Sequence, residues 1–433
     1  MIITLVIGSL IALIAFTRVP LGLAMGVTGT LGMAALHPRG LPAALSVAEQ
    51  QVVNLAMSYQ FSVLPLFILM GVFIVKARLA EELFEAARCW FGAFRGGLGM
   101  ASIVACGGFA AMCGNSSAAA ATMTKIAVPE LDRAGYHKGF SAGTIAAGGT
   151  MGVLIPPSGA LIIYSLLTQQ SISALFVAGI IPGLLQILFY VGVMAVIAGF
   201  LPQWAPLGQK VSWGEKIAAT RKIWAIVALF LLIMVGLMQG WFSAVEAGGI
   251  GAGGAFFFLI LRKKMTWRVL GESLMEAANI ATMIFLVAAG AMILNQFINI
   301  SGISSGAITF IQSLDLTPTM VILCLVGFYI VLGCVLDGYA MLFLTVPVIA
   351  PIVAGLGYDL VWWGIITVVV VEISLITPPV GLNVFILKAM LRDRPVSHIF
   401  RGIVPYLLSD FIRLGLLLAV PALSLWLPSL LGN

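Results

Sequence analysis

Long apolar runs separated by short polar loops constrain the fold of this chain more than any other feature of its sequence. A run of about 17–25 apolar residues can cross the hydrocarbon core of a bilayer as an α-helix. Ten such runs occur, at residues 1–17, 20–36, 60–76, 141–167, 175–200, 223–238, 244–261, 277–298, 360–387 and 402–428. The sequence therefore predicts an all-α integral membrane protein with ten spans.

The composition argues against a soluble protein. Only 9% of the residues are charged, against roughly 25% in a soluble domain, which is too few to cover a water-facing surface. Basic loops on one face of a bilayer explain the net charge of +6, so we expect no nucleic-acid partner. The cysteines and histidines match no metal spacing, and no cofactor is expected.

Two further apolar stretches, residues 97–128 and 318–350, are too long for one span and are interrupted near the middle. The interruptions, residues 113–118 and 333–338, are rich in small and polar residues. Unpaired backbone groups at membrane depth are tolerated only against protein, water or a ligand. We therefore predict two re-entrant helical hairpins.

The chain repeats itself at a spacing of 222 residues. The matched positions are Pro129 and Pro351, Gly135 and Gly357, Tyr136 and Tyr358, Pro156 and Pro378, and Gly159 and Gly381. Because the spacing hardly drifts, it predicts two homologous halves, residues 1–222 and 223–433, each with five spans and one hairpin.

The loop charges predict that the two halves are inverted, as an odd number of spans per half requires. Segment 76–95 contains four Lys and Arg residues, whereas its counterpart, 299–317, contains none. The predicted threading puts every Lys and Arg except Arg39 and Arg413 on or beside one face. The positive-inside rule makes that face cytoplasmic and both termini periplasmic. Segment 76–95 also interleaves charged and apolar residues, which predicts an amphipathic helix along the same face.

The hairpin tips are the first candidate site. Helix N-termini at a tip attract anions, and unwound carbonyls can coordinate a cation. The candidate tip residues are Gly114, Asn115, Ser116, Ser117, Gly333, Val335 and Asp337. Small-residue patches often serve only helix packing, but two patches, each followed by a Pro-Pro pair at the same offset, favour a site. An acid within an apolar stretch, such as Asp337, is functional by default.

Two Pro-Pro pairs provide the second part of the candidate site. Proline has no backbone N–H, so the predicted helices 141–167 and 360–387 must break and free carbonyl groups. The candidate residues at the breaks are Gly149, Thr150, Pro156, Pro157, Ser158, Thr377, Pro378, Pro379, Gly381 and Asn383. With each break facing its own tip, we expect two oxygen clusters suited to Na⁺. The expected Na⁺ ligands are Asn115, Ser116, Gly149, Gly333, Asp337 and Thr377.

One further pair of charged residues lies within a predicted span. Asp410 and Arg413 are three residues apart on one helix, which predicts an internal ion pair. Contact with another membrane subunit is the alternative interpretation.

Five segments resemble the large membrane subunit of tripartite ATP-independent periplasmic (TRAP) transporters. They are residues 114–136, 148–164, 171–183, 333–352 and 372–385. The resemblance implies a smaller four-helix membrane subunit, a soluble periplasmic binding protein, and a Na⁺-driven elevator mechanism in the bacterial inner membrane. It also implies a carboxylate substrate such as a C4-dicarboxylate, a sialic or sugar acid, or a keto acid. Asn115 departs from the family, which often has a small residue or Ser there.

Other functions fit the sequence less well. A stand-alone Na⁺/carboxylate symporter or Na⁺/H⁺ antiporter of similar fold remains the alternative. The sequence has no HExxH motif and no paired-Asp or Ser/His dyad within spans, so we do not expect an enzyme. Broken, buried helices favour an occluded site over an open channel.

The inverted arrangement makes a topological prediction. In a background without the five native cysteines, single cysteines at positions 85 and 310 should react with a membrane-impermeant thiol reagent from opposite sides of the membrane. Labelling of both from one side would show that the halves are not inverted.

Overall fold

A computed structural model describes residues 8–9, 19–208, 211–303, 306, 309, 316–334 and 336–430. Within these residues the chain forms helices joined by short turns. The helices are α1 (Leu21–Leu36), α2 (Gly40–Met57), α3 (Val63–Lys76), α4 (Leu79–Phe91), α5 (Gly97–Cys113), α6 (Ser116–Arg133), α7 (Lys138–Thr150), α8 (Gly159–Thr168), α9 (Ile172–Phe200), α10 (Trp213–Lys222), α11 (Trp224–Met238), α12 (Ala244–Leu261), α13 (Trp267–Ser301), α14 (Pro318–Gly333), α15 (Gly338–Gly355), α16 (Leu360–Ser374), α17 (Leu382–Met390), α18 (Val396–Ala419) and α19 (Ala422–Ser429).

The predicted all-α membrane architecture is confirmed. Six of the described helical segments are long and apolar enough to cross a bilayer, and the bent pair α10 and α11 would make a seventh. Others are shorter because the Pro-Pro breaks divide them: predicted helix 141–167 becomes α7 and α8, with a 3₁₀ turn at Met151–Val153 between them. The predicted span 1–17 and most of segment 299–317 lie outside the described residues.

The structure differs from the prediction at one additional helix and at the ends of two predicted spans. Helix α2 has no counterpart among the predicted spans, because polar residues such as Glu49 and Asn54 lower its hydropathy although its composition suits a helix. Predicted span 277–298 is part of the much longer α13, whose first turns are polar. Predicted span 402–428 is divided near Pro421, where α18 ends and α19 begins.

The predicted amphipathic helix in segment 76–95 is α4. It buries Leu79 and Phe84 against the rest of the protein and exposes Trp90. The Trp90 indole N–H donates to the Thr220 hydroxyl of α10 at 2.9 Å. Lys216 Nζ of α10 lies 5.5 Å from the centre of the Trp90 ring, so α4 and α10 form one polar and aromatic layer.

Helix bounds recur at the spacing found in the sequence. Helix α6 begins at Ser116 and α15 at Gly338, and both have 18 residues. The peptide bonds Pro156–Pro157 and Pro378–Pro379 are both cis. The repeated sequence therefore produces a repeated local structure around both breaks.

Helix α1 packs along α13 through glycines. A Cβ on Gly290 would lie 1.9 Å from the Gly22 carbonyl oxygen, and a Cβ on Gly22 would lie 2.3 Å from the Leu286 carbonyl oxygen. Such close backbone approach lets dispersion forces hold membrane helices together without a hydrophobic effect.

This contact predicts the effect of one added methyl group. Gly290→Ala should lower the thermal stability of the purified protein, by about 1–3 kcal/mol, because neither backbone can yield. Gly271→Ala in the same helix is the matched control, since Gly271 is exposed with open space around its Cβ position. It should be neutral or stabilising. Equal melting temperatures for the two variants would contradict the proposed close packing.

Candidate functional site

Each hairpin tip ends in a capped helix N-terminus. After α5, Gly114 adopts a φ of +60°, and Asn115 Oδ1 accepts a hydrogen bond from the Ala118 amide at 3.1 Å. In the second half, Asp337 Oδ2 accepts from the Tyr339 amide at 3.2 Å. Asn115 and Asp337 are 222 residues apart and are the N-caps of α6 and α15, Asn115 accepting from the third and Asp337 from the second amide that follows it. Val335 lies outside the described residues.

The first break follows Thr150 and is closed by Ser158. The Ser158 hydroxyl donates to the Val153 carbonyl and accepts from the Leu161 amide at 3.3 Å, so it caps α8. The Thr150 hydroxyl donates to the Ala147 carbonyl at 2.8 Å. These bonds satisfy backbone groups that the prolines leave without helical partners.

The second break follows Ser374 and is closed by different bonds. The Thr377 hydroxyl donates to the Ile373 carbonyl at 2.6 Å, and the Asn383 amide N–H donates to the Leu375 carbonyl at 3.1 Å across the break. Gly381 adopts a φ of +58° immediately before α17.

Each tip packs against the break of its own half. The Gly159 amide donates to the Gly114 carbonyl at 3.4 Å. A Cβ on Gly333 would lie 2.4 Å from the Ser374 Cβ, and a Cβ on Gly338 would lie 2.6 Å from a Val371 methyl. The first tip thus meets its break through backbone atoms, and in the second half the glycines let the tip backbone lie directly against side chains of α16.

The two halves also meet at the tips. The Tyr339 hydroxyl of the second tip approaches the Gly114 carbonyl of the first, at 3.5 Å. Asn383 is fully buried, and its Nδ2 donates to the Ala146 carbonyl of α7 at 3.2 Å. The tips and breaks therefore form one connected body.

A cavity of about 300 Å³ lies between the tips. Its lining residues are Asn115, Ser116, Ser117, Ala118, Val153, Ile280, Met283, Asp337, Gly338, Tyr339, Val371, Leu375 and Leu382. Four of the residues singled out in the sequence, Asn115, Ser116, Ser117 and Asp337, supply polar groups at this cavity. Ile280 and Met283 of α13 form an apolar wall.

The other described candidate residues do not line the cavity; Pro378 and Pro379 are exposed. A Cβ on Gly149 would lie 2.7 Å from the Ala120 Cβ on α6, Gly333 contacts Ser374, and Thr377 bonds within its own helix turn. Sequence reasoning missed Tyr339 and the α13 wall. The sequence contains no signal for Ile280 or Met283, because an apolar residue facing a cavity looks the same as one facing lipid.

The charges at the cavity are of both signs. The first turns of α6 and α15 border it, and helix N-termini carry partial positive charge that favours anions. The Asp337 carboxylate adds a negative charge, and its side chain is exposed at the cavity. The arrangement can thus hold an anion at the helix N-termini and a cation at Asp337.

A substitution at Gly114 tests whether the backbone geometry of the first tip contributes to stability. Gly114→Ala should destabilise the protein, because a left-handed residue with a Cβ costs about 1–2 kcal/mol and this Cβ would lie 2.8 Å from the Pro157 carbonyl oxygen. The control is Gly135→Ala, where φ is +81° but the surrounding space is open. Melting temperatures should fall further for Gly114→Ala than for Gly135→Ala. An equal fall would show that backbone strain alone destabilises Gly114→Ala and that the contact with Pro157 contributes nothing.

Comparison with known proteins agrees with these observations. The profile of the family "Tripartite ATP-independent periplasmic transporter, DctM component" matches residues 7–423. The C4-dicarboxylate TRAP transporter large permease protein DctM of Pseudomonas aeruginosa is 33% identical over 86% of this chain and 87% of that protein. The protein of the same name from Vibrio cholerae is 30% identical over 99% of this chain and 96% of that protein. The YdaH transporter of Alcanivorax borkumensis has a similar fold, with a TM-score of 0.62 at 14% identity over 97% of this chain and 98% of that one. The chain therefore belongs to the DctM family of TRAP transporter large permeases.

Proposed function

We propose that this permease uses a Na⁺ gradient to take up a small organic anion across the bacterial inner membrane. The cavity between the tips is the observation on which this rests, because two helix N-termini and the Asp337 carboxylate meet there. Discontinuous helices whose ends face substrate and coupling ion are typical of secondary transporters.

The proposed substrate class is a carboxylate. Among the described residues that line the cavity there is neither Lys nor Arg. Backbone amides of α6 and α15, with the Ser116, Ser117 and Tyr339 hydroxyls, would therefore hold the carboxyl groups. The name of the relatives from Pseudomonas aeruginosa and Vibrio cholerae specifies C4-dicarboxylates. Sialic or sugar acids and keto acids belong to the same chemical class.

We place one proposed Na⁺ site in each half of the chain. In the first half Asn115, Ser116 and the Gly149 region supply oxygens. In the second half Asp337, Gly333 and Thr377 do so. Support comes from the shared capping role of Asn115 and Asp337 and from the close packing of each tip on its own break.

The proposed movement is that of an elevator between two inverted halves. Helices α5–α8 and α14–α17 carry the tips and breaks, whereas α13 runs alongside and packs on α1 and α3. Helix α13 contributes Ile280 and Met283 to the cavity, and its Asn295 Nδ2 donates to the Phe343 carbonyl of α15 at 3.4 Å. Sliding along this apolar wall would therefore break that hydrogen bond.

The proposed partners are a small four-helix membrane subunit and a soluble periplasmic binding protein, as membership of this family implies. A stand-alone Na⁺/carboxylate symporter or Na⁺/H⁺ antiporter is the second candidate. It is favoured by the fact that this chain itself supplies both the positive helix N-termini and the Asp337 carboxylate of the cavity.

Reconstitution distinguishes these functions. Proteoliposomes containing both membrane subunits should accumulate radiolabelled carboxylate only when a Na⁺ gradient and the substrate-loaded binding protein are both present. Uptake by this chain alone would instead support the stand-alone symporter. Uptake that is unchanged when K⁺ replaces Na⁺ would contradict the proposal that transport is coupled to Na⁺.

Asp337→Asn tests the proposed cation site. Asparagine retains the helix cap but removes the charge, so Na⁺-driven uptake should fall roughly tenfold or more, equivalent to about 1.4 kcal/mol or more of lost stabilisation. The melting temperature should change little.

Asp359→Asn is the matched control for this variant. Asp359 caps α16 through the Val361 and Trp362 amides at 2.7 and 3.0 Å, and it is exposed in a loop. Its uptake should resemble that of the wild type. Unchanged Na⁺ dependence in Asp337→Asn would exclude Asp337 from the site.

A further inference from the structure

Polar side chains also join spanning helices outside the tip cavity. Arg413 Nη2 of α18 lies 3.1 Å from Asp410 Oδ1 and donates to Glu372 Oε2 of α16 at 2.8 Å. The predicted ion pair between Asp410 and Arg413 is therefore confirmed. A different contact joins α13 to α15, where Asn295 Nδ2 donates to the Phe343 carbonyl at 3.4 Å. This second contact links the helix that forms the apolar wall to a helix that carries a tip.

The Phe343 carbonyl needs a donor because of a proline. Pro347 lies inside α15, four residues after Phe343. A proline has no backbone N–H, so the carbonyl four residues before it loses its helical hydrogen bond. Phe343 is fully buried, and a backbone carbonyl without a donor at membrane depth is strongly unfavourable. Asn295 of the neighbouring helix replaces the missing N–H.

Asn295 is an unusual residue for its place in α13. The last turns of this helix bury Ala291, Leu294 and Phe297, and Asn295 is half-buried in the same turns. A polar side chain within a span is costly unless it is hydrogen-bonded, and such residues usually have a function. The Phe343 carbonyl is a partner that accounts for an asparagine at this position.

The first half of the chain has neither member of this pair. The positions 222 residues before Asn295 and Pro347 are Phe73 and Lys125. Lys125 has a backbone N–H, so α6 has no freed carbonyl at the corresponding point. A helix without that freed carbonyl needs no donor from its neighbour, and the neighbour has an apolar residue, Phe73. The proline and the asparagine therefore occur together, in the second half alone.

We propose that Asn295 is a positioning residue that holds the second hairpin against α13 in this conformation, by donating to the carbonyl that Pro347 frees. A movement of the hairpin along α13 would separate the Asn295 amide from that carbonyl. Since the carbonyl then loses its donor, the contact stabilises this conformation relative to any in which the hairpin has moved. The positioning role rests on the proposed elevator movement, whereas the pairing of Asn295 with the freed carbonyl does not.

A double-mutant cycle tests the pairing. Asn295→Leu removes the donor at similar side-chain volume, so it should lower the melting temperature of the purified protein. Pro347→Ala restores a backbone N–H to α15, and this N–H can donate to the Phe343 carbonyl. In that background the fall caused by Asn295→Leu should be about half or less of its size in the wild type, because both residues act on one carbonyl. Equal falls in the two backgrounds would overturn the pairing.

Asn299→Leu is the matched control for this cycle. Asn299 lies one turn after Asn295 on α13 and is exposed. The same substitution there should leave the melting temperature unchanged in both backgrounds. A fall equal to that of Asn295→Leu would show that loss of either asparagine destabilises this helix, which would contradict a specific contact at Asn295.

Distances between spin labels test the positioning role. The labels replace Leu274 of α13 and Val331 of α14, which are both exposed, in a background without the five native cysteines. If the hairpin moves, the membrane-reconstituted wild type should show two label distances whose populations change with Na⁺ and succinate. Asn295→Leu should shift their ratio away from the distance of this structure roughly fivefold, the effect of losing one ordinary hydrogen bond.

The two ways in which this measurement can fail are distinguishable. Two distances in the wild type with a ratio that Asn295→Leu leaves unchanged would overturn the positioning role. A single distance in the wild type at every concentration of Na⁺ and succinate would instead contradict the elevator movement, and the positioning role with it.

Discussion

The structure depends on one constraint, which is that backbone groups freed within a membrane must find partners inside the protein. Two proline-broken helices and two interrupted hairpins free many such groups. Asn115, Asp337 and Ser158 cap the restarting helices with their side chains. Glycines let each tip lie directly against its break. Asn115 and Asp337 also line the cavity, so these two side chains serve both the stability of the tips and the geometry of the site.

Much of this arrangement could be predicted from sequence because its signals are chemically unusual. Proline pairs, an acid and an Asn-Ser-Ser run stand out within apolar stretches, and their constant spacing marks both breaks. Apolar side chains give no comparable signal. Ile280, Met283 and the Tyr339 contact to Gly114 depend on how helices cross, and α2 was missed because its mixed composition resembles neither a span nor a loop.

Two kinds of intramembrane acid occur in this permease, and their surroundings differ. Asp337 is exposed at a cavity and bonded only to the backbone of its own helix turn. Glu372 and Asp410 are buried, Arg413 of α18 donates to Glu372, and Tyr190 of α9 donates to Asp410. An acid open to a cavity can exchange its counter-ion during a transport cycle. Enclosed acids must be neutralised where they lie, which suits them to holding the halves together.

Polar contacts at two levels of α13 bear on the proposed elevator movement. Lys76 binds Glu272 and Glu276 of α13 at 3.5 and 3.6 Å. The apolar wall at Ile280 begins four residues later, about 6 Å along the axis. Beyond Met283 the helix continues for 18 residues to Ser301, about 27 Å. Within that stretch Asn295 donates to the Phe343 carbonyl of α15 at 3.4 Å. The proposed elevator movement would therefore have to break this hydrogen bond, whereas the ion pairs of Lys76, which join α3 to α13, would stay in place.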